Sequence, residues 1–275
     1  MTPRKNTRRP WPALAMCATI VITTLLTTPA TAGQPCTAKP LSVLQVERSV
    51  ELAQSTERQL NLMNTDVAVI ARAGQDLRQW QQRFSHIGIV YKTEATPTQP
   101  KTWRVIHKLN ICGSDRANLY RQGLLEFYQD DPYEWVATIV PLNKNISAGL
   151  LSIVSDKRLL QRMHERRYNM VAYPWSTEYQ QSNQWVLETI ALAAEPGIRT
   201  RDQAQAWLKF KSYQPDRLHL STFKRLGARM TKANIAFDDH PSRLRFSNRI
   251  DTTTADSALR WLVASGVGTT RHLVR

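Results

Sequence analysis

The sequence predicts an α+β fold, an antiparallel sheet with helices packed on it, and three observations lead there. Strands and helices alternate irregularly along the chain, without the βαβ rhythm of a parallel sheet. A strand, a long polar loop and a second strand follow one another between Phe84 and Asn110, which is the signature of a hairpin. After residue 32 no low-complexity tract, repeat or linker divides the chain, so residues 33–275 read as one large domain.

The elements follow in order. SVLQVERSVELAQSTERQLNLM repeats apolar residues at helical spacing and predicts a helix from Ser42 to Met63. Asp66 and VAVIARAG then read as a strand that Gly74 ends, and DLRQWQQR as a short helix or turn. After Cys112, SDRANLYRQGLLEFYQDD predicts a helix capped by Ser114 or Asp115, with Leu119, Leu124, Phe127 and Tyr128 on its buried stripe. YEWVATIVPL is a strand stopped by Pro141, SAGLLSIVSDKRLLQRMHE a helix, and YNMVAYP a short extended piece. STEYQQSNQWVLETIALAAEPG carries helix formers up to a stop at Pro196-Gly197. Beyond it come a helix in RDQAQAWLKFKSY, a strand in RLHLSTF, a helix in KRLGARMTKANIAF, a strand around LRFSNRIDTTT and a last helix in ADSALRWLVASG.

The ends of the hairpin alternate in face. Phe84, His86, Gly88 and Val90 share one side of the first strand, and Trp103, Val105, His107 and Leu109 share one side of the second. Pairing Tyr91 with Thr102 sets His86 opposite His107, and a slip of one residue sends the two imidazoles to opposite faces. The histidines are then either two satisfied core residues or a pair set up for proton transfer.

The first 32 residues have the three parts of a secretory signal: Arg4, Lys5, Arg8 and Arg9, an apolar run from Ala13 to Leu26, and Ala30-Thr31-Ala32 before the expected cut. That run is short for a bilayer, and no later stretch reaches membrane-helix length. A soluble periplasmic or secreted protein is expected, without a lipid anchor. Of the formal charge of +15, four positive charges lie in the signal, which leaves a basic mature chain at +11. Such a balance suits anionic envelope material, whether phospholipid, lipopolysaccharide or wall polymer, while export argues against nucleic acid.

Cys36 and Cys112 remain after cleavage. In an oxidising compartment such a pair reads most simply as a disulfide, worth about 4 kcal/mol in the chain-entropy model. A thiol nucleophile at Cys112 is the competing reading.

P-loop, GxGxxG, HExxH and GxSxG signatures are all absent, and no cofactor or metal is expected. Asp238, Asp239 and His240 stand together in FDDHP; a turn ended by Pro241 explains them as well as ligation does. On the helix expected after Tyr179, Ser182, Trp185, Val186, Thr189 and Ala193 share a side, with Ser182 close to the N-terminus. A hydroxyl there is either a helix cap or a nucleophile favoured by the dipole and by free N–H groups. Tyr173, Trp175, Tyr179 and Trp185 around it are groove or core.

SHIGIVY followed by VIHKLN, and later QSNQWV, resembles the permuted papain-like families, the lecithin retinol acyltransferase group and the NlpC-type wall peptidases. That resemblance implies a papain-like core. It casts Ser182 in the usual cysteine position, His86 as general base and His107 as the residue that orients it, in a hydrolase or acyltransferase on amides or esters. An inactive ligand-binding relative is the alternative, because a serine hydroxyl is harder to deprotonate than a thiol. FSHIGIVY, LNICGSD, YNMVAYPWSTEYQQSNQWVLE and NIAFDDHP together resemble a bacterial family of secreted proteins, domain of unknown function 2145, which implies no activity.

Overall fold

The computed structural model describes residues 40–129, 132–220 and 234–275. The expected signal, Cys36 and most of the expected helix in 224–237 lie outside the described residues. Helix α1, Val43–Leu62, begins at Ser42, whose side chain and that of Gln45 close a capping box. The strands β1 (Val67–Ala73), β2 (His86–Lys92), β3 (Trp103–Asn110), β4 (Ala117–Gln122), β5 (Glu134–Pro141) and β8 (His272–Val274) form an open sheet in the order β4-β3-β2-β1-β5-β8. Every pairing in it is antiparallel. β6 (Asp216–His219) and β7 (Arg249–Thr252) make a separate two-stranded sheet. The remaining helices are α2 (Leu124–Gln129), α3 (Lys144–Ser155), α4 (Lys157–Arg162), α5 (Ser182–Ala194), α6 (Arg201–Phe210), α7 (Ser242–Arg245) and α8 (Ala255–Ala264). The fold is α+β. Among the described residues no helix is long and apolar enough to cross a membrane.

The alternation of β1 to β3 divides the interior in two. Ala68, Ile70, Val90 and Val105 face α1 and α2, meeting Leu52, Leu60 and Phe127. Val69, Ile87, Ile89 and Ile106 face the other way, onto α3, α5 and α8. α5 is the axis of that second layer. Ser182, Trp185, Val186, Thr189 and Ala193 share a side of this helix as expected, and every other residue from Ser182 to Ala193 is buried as well, so that stretch has no solvent face. Its closeness to α3 depends on Gly149, where a Cβ would run into the carbonyl of Ala193.

Three expectations change. Residues 117–122 form β4 rather than the start of a helix, because their backbone completes a ladder with β3 before Gly123 releases the chain into α2. The helix after Pro141 is two helices, since Asp156 ends α3 and its carboxylate accepts from the N–H groups of Arg158 and Leu159 at the start of α4. The hairpin register is two residues from the expected one, with Tyr91 opposite Arg104. A two-residue shift preserves the face, so His86 and His107 still point to the same side.

Candidate active site

β2 enters the sheet under two constraints. Asp256 Oδ2, at the start of α8, accepts from the N–H groups of Arg83 and Phe84 at 2.7 and 2.9 Å. Asn183, in the first turn of α5, accepts from the N–H of Ile87 at 3.0 Å and donates to the carbonyl of Thr253 at 3.2 Å. These bonds fix His86 between two helix starts.

One step beyond the observed ladder, His107 falls across from Gly88. A Cβ on Gly88 would come within 2.7 Å of Val105 Cγ1 and 3.3 Å of His107 Cβ, so glycine leaves the space over which the imidazole lies. His107 therefore reaches the diagonal neighbour. Its Nδ1 is 2.8 Å from His86 Nε2, and its Nε2 is 2.7 Å from Gln122 Oε1 on β4. The Gln122 carbonyl oxygen only accepts, so His107 carries its proton on Nε2 and accepts at Nδ1. His86 then donates from Nε2, which leaves a lone pair on Nδ1. Phe127 closes the far side of both rings, 6.0 Å from His86 and 5.3 Å from His107 between centroids. Burial above all, then the positive Arg72 and the neighbouring His107, holds the His86 pKa well below the ordinary histidine value. At neutral pH His86 is an uncharged base.

Ser182 is the first residue of α5, and Gln181, not the serine, occupies the N-cap position without a side-chain cap bond. The first turn thus presents backbone N–H groups without a capping side chain. Ser182 Oγ is 3.5 Å from Tyr168 Oη, a long bond, and makes no hydrogen bond to His86. The reason is topological. The imidazoles point to the α1 and α2 side of the sheet while α5 packs on Ile87, Ile89 and Ile106. The sheet stands between them until β2 ends. At that end His86, Tyr168, Ser182 and Asn183 line one cavity of about 500 Å³.

Behind Ser182 lies a buried polar network. Gln180 accepts from Lys108 Nζ at 2.7 Å and from the N–H of Glu165 at 3.0 Å, and donates to Glu188 and to the carbonyl of Met163. Arg201 grips Glu188 through Nε at 2.7 Å and Nη2 at 3.1 Å and also donates to the carbonyls of Thr177 and Tyr179. Arg201 thus holds the carboxylate directly, while Lys108 connects to it through Gln180. Burial, with Arg201 nearby, lowers the Lys108 pKa to about 6 against the pull of Glu188 and Glu165.

Of the other expected candidates, Asp239 accepts from the N–H of Tyr173 at 2.8 Å and lies 2.9 Å from His240 Nδ1, while His240 Nε2 donates to the carbonyl of Asp251. This trio ties a turn to β7. No cluster of metal-ligating side chains occurs among the described residues. Cys112 lies in the turn after β3, with its expected partner Cys36 outside the described residues. Gln122, Asn183, Arg72 and Tyr168 were silent in the sequence, since each gains its role from a strand pairing or a loop path that no local spacing encodes.

No curated protein and no solved structure matches the chain. A family model described as an uncharacterized protein conserved in bacteria matches residues 59–262, which include β2, β3, α5 and the cavity that they enclose. The chain belongs to that family, domain of unknown function 2145.

Proposed function

We propose that the protein is an exported serine-variant hydrolase or acyltransferase, built on a permuted papain-like core, that acts on esters or amides of the cell envelope. The observation that carries this reading is the hydrogen-bonded chain from Gln122 through His107 to His86, a residue that lines the same cavity as Ser182. Ser182, held by one long bond to Tyr168, is free to change rotamer when a substrate enters. Its Oγ attacks the carbonyl carbon, His86 Nδ1 receives the hydroxyl proton directly or through a water, and the first-turn N–H groups of α5 hold the oxyanion. The proton passes to the leaving group, and water or an acceptor hydroxyl releases the acyl enzyme. The basic mature chain favours anionic envelope surfaces as the place of action.

The second reading is a ligand-binding module with the same cavity, favoured by the missing Ser182 to His86 hydrogen bond. A fluorophosphonate probe separates the two. An adduct on the wild type that Ser182→Ala abolishes is the expected result; no adduct on either protein leaves the binding module. The export and disulfide expectations are tested on the same sample. The secreted chain should start at Gly33, and its intact mass without reductant should be lighter by one hydrogen for each of Cys36 and Cys112.

A further inference from the structure

We infer that the cavity takes a long-chain acyl group, with its carbonyl at the first turn of α5 and its hydrocarbon against an apolar wall. This rests on the acyl-transfer reading above and names its substrate class. The volume of about 500 Å³ is in the range of pockets that hold a whole small ligand. Its wall is carbon-rich: Leu77, Trp80, Leu218, Leu220, Ile235 and Phe237 all line it. The wall is also continuous, because Trp80 Nε1 donates to the carbonyl of His219 and joins the turn before β2 to β6.

Several polar side chains in the lining are already occupied within the protein. Gln181 donates to Thr252 Oγ1, Thr252 Oγ1 donates to the carbonyl of Ala172, and Thr254 Oγ1 donates to Asp216. Asn183 is spent on β2 and Thr253. His86, Ser182 and the start of α5 line the cavity and suit a single carbonyl group, with Gln75, Gln79, Gln82 and Asn110 also in the lining. No carboxylate lines the cavity among the described residues, so nothing there repels an ester or acid head group. A sugar or peptide would seek open polar partners along its whole length, and the apolar wall offers it none. A hydrocarbon tail needs none.

The test is binding of cis-parinaric acid to the full mature protein by fluorescence, with competition by palmitate and by acetate. Saturable binding displaced by palmitate but not acetate is expected, weakened about tenfold or more by Leu218→Glu and by Trp80→Ala. Circular dichroism confirms that each variant is folded, and Trp80→Ala stands in if the charged variant is not. Absence of saturable binding, or binding that the folded wall variants leave unchanged, overturns the inference. Binding by a wild type that gives no fluorophosphonate adduct upholds the acyl cavity and sinks the acyl-transfer reading; an adduct without acyl binding does the reverse.

Discussion

Glu188→Ala is expected to destabilise the fold by about 3–5 kcal/mol, the cost of breaking a buried ion pair from one side. Glu188 is fully buried, and the Arg201 side chain that it pairs with is 9% exposed. Removing the carboxylate leaves the guanidinium without its counter-charge and takes an acceptor from Gln180 and Gln205 as well. The same network holds the carbonyls of Ser176, Thr177 and Tyr179, in the segment that delivers Ser182 to the mouth of the cavity. Loss of order should therefore reach the site before global unfolding. A urea titration reads the first effect as a lower midpoint, and Glu188→Ala,Arg201→Met should recover part of it, because the unpaired cation is gone. An unchanged midpoint in Glu188→Ala would show that the pair contributes little. Lys108 adds a pH dependence of known sign. Its folded pKa of about 6 lies below the ordinary lysine value of 10.5, so the unfolded chain binds the extra proton between those values and stability rises with pH across that window.

That network also shows where sequence reading stops. The strands from Val67 to Ala73 and from His86 to Lys92 were legible because burial on both faces fills them with apolar and β-branched residues, and α1 because its apolar residues recur at helical spacing. β4 was misread: Leu119, Leu124, Phe127 and Tyr128 fit a helical stripe, and only pairing with β3 shows that the first belongs to a strand. Ser182 was placed correctly at a helix start, yet its distance from His86 depends on which face of the sheet each occupies. The face of a strand is set by its own alternation, but the layer that a distant helix chooses is set by the whole core. Glu188 and Arg201 lie on two helices and Lys108 on a strand, so their meeting left no spacing to read.

His86→Ala should lower turnover of a long-chain ester by roughly 10²–10⁴-fold, the usual contribution of a positioned general base. The pH profile is the sharper readout. Only the unprotonated imidazole accepts the serine proton, and burial together with Arg72 keeps the His86 pKa well below 6.5. Activity should therefore persist as pH falls through 6.5 and fail only at more acidic values. Arg72→Leu removes the positive charge that opposes protonation, so the acid limb of kcat/KM should move upward toward the ordinary histidine range. Gln122→Leu removes the acceptor that fixes the His107 tautomer. His107 is then able to place its proton on Nδ1, which turns His86 Nε2 into the acceptor and moves the His86 proton to Nδ1, the nitrogen that must be bare. Its kcat should drop even with His86 in place, and ¹⁵N spectra of labelled histidine should show the change of tautomer. An acid limb at 6.5 that neither substitution moves would take His86 out of the proton-transfer step and leave the cavity as a binding site alone.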